Sequence, residues 1–182
     1  MTEREQLEYS ALRATIRERG TARICTFAAG MAAWGALTLA TAALATTPLA
    51  TLLPLLVLAC LFEAVFTLHV GVERVGRYLQ VFYETDAGAK WEHMAMAFGR
   101  PPGAATADAL FAIPFLIAAL FNIAPAMIQA PTRPELVFVA GGHALFALRV
   151  FVARVAARRQ REIDLARFRD LKRDPTSGSS AG

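Results

Sequence analysis

The chain has 182 residues, 55% of them hydrophobic, with a mean hydropathy of +0.41 and a formal net charge of +4. That length could hold one water-soluble domain, but the hydropathy points to a membrane protein instead. Its two cysteines exclude a disulfide framework of the secreted kind.

In chain order, residues 1–23 read as an amphipathic helix. Tyr9, Leu12 and Ile16 fall at i, i+3 and i+7 on one face, with Glu and Arg around the rest. Such an arm can lie on anionic lipid, dock on a partner helix, or simply extend the first span in solvent. Gly20 is expected to interrupt it before Arg23 marks the membrane surface. Four apolar spans follow: Ile24 to Ala45, Leu49 to Val72, Ala109 to Ala130, and Leu136 to about Ala153. Among Asp, Glu, Lys and Arg, only Glu63 lies between Ile24 and Val72, and none lies between Ala109 and Ala130. About 20 residues at ~1.5 Å each cross ~30 Å of hydrocarbon, so these runs match bilayer-spanning helices. Arg149 sits inside the fourth run near one end, where its guanidinium can snorkel to the headgroups. The small residues Ala42-Ala43-Leu44-Ala45 resemble a signal cleavage site. The 22-residue apolar core and the four Glu among five Arg before it favour a retained anchor.

The uncharged Thr46-Thr47-Pro48 connector makes spans one and two antiparallel neighbours, and Pro131 to Glu135 does the same for spans three and four. The expectation is an all-α, four-helix transmembrane bundle of two hairpins, covering 24–153, with cytoplasmic helical extensions. The connector 73–108 continues span two as a helix to about Glu84. It is then broken at Asp86-Ala87-Gly88 and at Arg100-Pro101-Pro102-Gly103. Between the breaks, Trp91, Met94, Met96 and Phe98 suggest an interfacial segment, with His93 an exposed loop residue. Residues 154–174 continue span four as a basic helix suited to anionic lipid, and 175–182 read as a disordered tail. Excluding Arg149, seventeen Lys and Arg lie on the side of the termini and long connector, against Arg133 alone on the other. The positive-inside bias then places both termini and the connector in the cytoplasm. Arg outnumbers Lys seventeen to two, as in GC-rich bacteria, which points to a bacterial inner membrane.

Span one carries a small-residue stripe, Ala29, Ala32, Ala36 and Ala40, which allows close helix approach within the bundle or to a second copy. Gly141 and Gly142 would permit the same on span four. Inside the spans, Glu63, Asn122 and His143 fall within a slab ~8 Å thick if each span midpoint marks the bilayer centre. A lone carboxylate facing lipid costs about 2.5–3.5 kcal/mol, so Glu63 is expected to face the bundle interior beside His143 or Asn122. Carboxylate and imidazole together can shuttle protons or bind a cation. With no second carboxylate and no continuous polar row, a structural clasp is the stronger reading. Cys60, Glu63 and His143 form a weak metal-ligand set, since no Cys or His pair repeats. His69 is ~15 Å from His143 along the normal, too far for paired haem ligation, and pairs more naturally with Glu73 at i+4. No cofactor is expected. The phosphate loop, H-E-x-x-H and G-x-S-x-G patterns are missing, and the basic helix is read as binding lipid rather than nucleic acid. The leading function is therefore non-enzymatic: helix–helix association in the bilayer, as a homo-oligomer or a small subunit of a membrane complex. The alternative is a small proton- or cation-conducting channel or transporter using Glu63, Asn122 and His143.

Overall fold

The computed structural model describes residues 1–84, 91–98 and 107–174. The protein is all-α, and no strand occurs among the described residues. Its helices are α1 (Glu3–Leu44), α2 (Leu52–Phe82), α3 (Trp91–Phe98), α4 (Ala107–Phe121), α5 (Ala124–Ile128) and α6 (Arg133–Arg173). A short 3-10 turn, Pro48–Thr51, precedes α2.

Each boundary has a local cause. Helix α1 is rich in good helix formers, contains no proline, and stops just before Thr46-Thr47-Pro48. It runs unbroken through Gly20, contrary to the expected interruption. A single glycine costs about 1 kcal/mol relative to alanine in a helix interior, which 42 residues of helix absorb. Pro54 falls in the first turn of α2, where the missing N–H would have had no intrahelical acceptor. At the start of α6, Glu135 Oε2 accepts from the Thr132 backbone N–H at 2.9 Å and from Thr132 Oγ1 at 2.7 Å. This is half of a capping box, with Pro134 in the first turn. These contacts hold the Glu135 carboxyl below the usual carboxylate range, the Thr132 hydroxyl first among them.

Three helical stretches, Glu3–Leu44, Pro48–Phe82 and Arg133–Arg173, are long and apolar enough to cross a membrane. The protein is thus a multi-pass membrane protein. The expected third span, Ala109 to Ala130, is not one continuous helix. It is divided into α4 and α5 by a turn at Asn122-Ile123. Pro125 cannot donate to the Phe121 carbonyl, and the Ile123 N–H reaches back only to Leu120 O, at 3.2 Å. Helix α4 has 15 residues, ~22 Å of rise, short of a hydrocarbon core by itself.

The chain divides into two compact units. The apolar unit comprises Arg23–Thr67 and Ala107–Arg154. Its core joins Leu55, Leu58, Leu61, Phe62 and Val65 of α2 to Ala112, Phe115 and Ala118 of α4 and Phe146 and Val150 of α6. Phe62 lies edge-on to Phe115 with ring centroids 5.3 Å apart, and Phe115 meets Phe27 of α1 at 5.7 Å. Lipid is as apolar as these side chains, so the core is held by close packing, not by expulsion from water. Leu53, Leu56, Leu120, Phe138, Leu145 and Phe151 point outward in the same unit while Thr51, Asn122 and His143 are buried. At one end of it the two hairpin turns meet. Thr47 Oγ1 donates to Glu135 Oε1 at 3.2 Å, and Gln129 Nε2 donates to Ala45 O at 3.1 Å.

The charged unit takes the described residues of Met1–Ala22, Leu68–Thr106 and Val155–Gly182. Here Tyr9, Leu12 and Ile16 of α1 are half-buried. Tyr9 and Tyr83 meet with tilted rings, centroids 5.5 Å apart, Tyr78 donates to Glu8 at 2.9 Å, and Arg13 pairs with Glu92 of α3 at 2.7 Å. The amphipathic arm therefore docks on its own chain. His93, expected in a loop, lies in the first turn of α3, where the Glu84 carboxylate accepts from the backbone N–H groups of Glu92 and His93 and contacts His93 Nδ1. The expected breaks at 86–88 and 100–103, the side chains of Met96 and Phe98, and the tail 175–182 lie outside the described residues.

Candidate functional site

Three polar groupings stand out, two in the apolar unit and one in the charged unit. The first is built on the α4–α5 turn. Asn122 is fully buried and its Nδ2 donates to Thr51 O at 2.8 Å and to His143 Nε2 at 3.3 Å. His143 Nδ1 is 2.7 Å from Val139 O, one turn back on α6. A carbonyl only accepts, so Nδ1 carries the proton and Nε2 is left to accept from Asn122. Thr38 Oγ1 of α1 donates to Trp34 O at 2.9 Å and stands 3.5 Å from Asn122 Oδ1. One amide thus joins four stretches of chain, with both imidazole nitrogens engaged.

Glu63 is not part of this group. Its carboxylate faces Arg149 of α6: Arg149 Nε meets Oε1 at 2.7 Å and Arg149 Nη2 meets Oε2 at 2.7 Å. The pair is a bidentate fork, and both side chains are nearly half exposed, 44% for Glu63 and 46% for Arg149. Glu63 accordingly lies at the rim of the apolar unit, and Arg149 is held by a carboxylate rather than snorkelling. Midpoint counting puts Glu63 level with Asn122 and His143, but Arg149, its partner, lies six residues or ~9 Å along α6 from His143, and a residue count says nothing of which way each side chain turns. The weak metal set of Cys60, Glu63 and His143 fails for the same reason: Cys60 is exposed and His143 buried. Among the described residues no three His, Cys, Asp or Glu gather as a metal site requires.

The small residues sort onto two faces. Ala29, Ala32, Ala36 and Ala40 are all exposed, on the side of α1 away from Phe27, Met31 and Trp34, which pack on the core. Close approach is made instead by Gly30, whose absent Cβ would lie 2.2 Å from Leu61 Cδ1. Gly142 packs against Leu52 and Leu55 of α2, whereas Gly141 faces open space.

The third grouping lies in the charged unit. Arg77, 1% exposed, donates to Glu73 at 2.6 Å and to Asp164 of α6 at 2.5 Å. Arg161 reaches Glu73 at 2.8 Å, Arg74 reaches Asp164 at 3.5 Å, and Gln160 donates to Asp164 at 2.7 Å. His69 Nε2 stands 3.7 Å from Glu73 Oε1, at the spacing the sequence indicated. The residue offsets along α2 and α6 stay nearly constant through these contacts, so the two helices run parallel here. Burial works to raise the Asp164 carboxyl, but the Gln160 hydrogen bond and the Arg77 and Arg74 charges outweigh it and hold the carboxyl below its ordinary value. A carboxyl depressed in the folded state adds stability above its unfolded pKa of about 3.9 and loses it as pH falls through the lower folded value. Thermal denaturation followed by circular dichroism should therefore show wild type losing stability as pH drops below about 4, with Asp164→Asn losing markedly less. Glu92 runs the other way: burial raises its carboxyl against the pull of Arg13, so its protonation in acid favours the fold.

No family model, curated protein or solved structure matches the chain.

Proposed function

We propose that this protein is a non-catalytic, multi-pass component of a bacterial inner membrane whose work is helix–helix association, with its own copies or within a larger membrane complex. One observation carries the reading: α1 crosses the apolar unit with only 6% of its most apolar stretch buried. The exposed side is lined by Ala29, Ala32, Ala36 and Ala40. In lipid, small side chains let a second helix backbone approach closely, and this face has no neighbour within the chain's described residues. The basic-residue bias supports placing the termini and the charged unit in the cytoplasm, where the Arg-rich end of α6 meets anionic lipid.

Transport draws less support. Glu63 is separated from Asn122 and His143, and the imidazole nitrogens are spent on Val139 and Asn122. The group is suited to a clasp that sets how α1, α2, α4 and α6 register.

The test is the mass of the protein extracted in mild detergent. Wild type should be recovered in an assembly larger than one chain. Placing bulk on the stripe with Ala32→Leu and Ala36→Leu should lower the associated fraction about tenfold, equivalent to ~1.4 kcal/mol. A wild-type chain recovered alone, bearing only lipid, would remove the reading.

A further inference from the structure

The Glu63–Arg149 fork is oddly placed for a pair that only holds α2 to α6. It lies within the membrane-crossing stretches of both helices, yet nearly half of each side chain faces out of the apolar unit. A guanidinium has five N–H donors and a carboxylate about four acceptor positions. Two of each are used in the fork, so three N–H groups and two acceptor positions per chain are left over for the outer side. Hydrocarbon offers nothing to satisfy them, and acyl chains against this rim would leave them bare.

We infer that this rim is covered by the same rim of a second copy, related by a two-fold axis along the membrane normal. The inference rests on the association reading above and adds to it a second interface, on α2 and α6 rather than on the α1 stripe. Symmetry supplies the argument. Glu63 and Arg149 are bonded, so they share one depth, and rotation about the normal leaves depth unchanged. A half-turn then sets Glu63 of one copy against the partner's Arg149, and Arg149 against the partner's Glu63. Four charges close into an alternating ring in which the unused N–H groups of each guanidinium meet the other copy's carboxylate. Such a contact is isologous and self-complementary, which a patch of one sign could not be. The surroundings suit it. Leu56, two turns before Glu63 on the same face of α2, is 60% exposed, and Leu145, one turn before Arg149, is 68% exposed. They supply apolar area beside the ring.

The experiment uses the full chain in lipid nanodiscs, with copies per disc counted by native mass spectrometry. Wild type is expected as a dimer. Glu63→Arg and Arg149→Glu, each expressed alone, place four like charges at the interface and should lose the dimer at least about tenfold. Co-expressed with different tags, the two variant chains should pair with each other at about the wild-type level. Each then supplies the charge the other lacks, which a purely intramolecular fork cannot do. Where a charge reversal fails to fold, as judged by its helicity, the isosteric double variant Glu63→Gln, Arg149→Gln decides, with a loss of about tenfold expected. The inference is overturned if that neutral variant dimerises like wild type, or if folded reversal variants do not pair. A lipid phosphate or an unrelated chain found on the rim also overturns it. In a wild type that stays multimeric and indifferent to both positions, association proceeds elsewhere and only this interface fails. A wild type always alone in its disc removes both readings.

Discussion

Arg77→Met is expected to destabilise the charged unit by about 3 kcal/mol, the low end for breaking a buried ion pair by deleting one partner. The size follows from what is left behind. Met approximates the volume but leaves Glu73 and Asp164 facing a site that is 1% exposed. Neither acid is orphaned outright, because Glu73 keeps Arg161 at 2.8 Å and Asp164 keeps Gln160 at 2.7 Å. The wild-type site is also imperfect: Arg77 Nε and Gln80 Oε1 are buried without a hydrogen-bond partner. Both facts hold the loss below the upper figure of ~5 kcal/mol. Arg77→Lys should fall between wild type and Met, since a point charge attracts both acids but cannot offer the planar fork. Hydrogen exchange resolved along the sequence is the fitting measurement, because it reads α2 beyond Leu68 and α6 beyond Val155 separately from the apolar unit. A loss under about 1 kcal/mol would mean that Arg74 and Arg161 suffice and that Arg77 is dispensable.

Beyond the His69–Glu73 pair, this network has a sequence signature of its own. Glu73, Arg74 and Arg77 on one helix and Gln160, Arg161 and Asp164 on another carry complementary polar and charged groups at i, i+3 and i+4 spacing. Two short outer connectors already imply that α2 and α6 run in the same direction. The spans themselves were legible because hydrocarbon thickness fixes how long an uncharged run must be. The third is legible as an apolar run but its break is not, because apolarity dominates such a count, while Pro125 acts through one missing N–H that hydropathy does not register. Glu63 exposes a different gap. Counting residues from a span's midpoint puts Glu63 level with Asn122 and His143, but Glu63 bonds Arg149, six residues or ~9 Å along α6 from His143, and Asn122 bonds Thr51, well before Glu63 in the chain. Partnership also depends on which way each side chain turns, and that direction is set by packing on several helices at once. His143 turns inward on the α6 face shared with Val139 and Phe146, whereas Arg149 turns to the rim and takes the carboxylate.

Which face of the Ala-rich α1 is packed within the chain is likewise a question of direction, and the second prediction turns on it. Gly30→Leu is expected to cost about 3 kcal/mol, at the top of the usual range for overpacking, while Ala29→Leu beside it should leave the stability of the single chain within about 0.5 kcal/mol. An Ala-rich helix carries small residues on several faces, so a period of 3.6 finds a stripe without saying which one is occupied. The structure distinguishes them. Ala29 is exposed, whereas the missing Cβ of Gly30 would sit 2.2 Å from Leu61 Cδ1, 2.7 Å from Cδ2 and 2.9 Å from Cγ. Rotating one methyl away would not suffice, because the branch carbon of Leu61 is itself too close. Leu61 is also buried among core residues that leave it little room to move. Either α1 shifts outward, losing the edge contact of Phe27 with Phe115, or Leu61 leaves its rotamer. In the bilayer no hydrophobic term offsets such a loss, so the packing deficit should appear nearly undiminished. Shrinking the opposite side discriminates the cause. Gly30→Leu combined with Leu61→Ala exchanges the large and small partners across the contact and should recover more than half of the loss in a double-mutant cycle. Unfolding in mixed micelles titrated with a denaturing detergent, followed by circular dichroism, would measure wild type, Ala29→Leu, Gly30→Leu, Leu61→Ala and the double variant. Equal and large losses for Ala29→Leu and Gly30→Leu would show that α1 is rotated from the position described, and with it the exposed stripe on which the association reading stands.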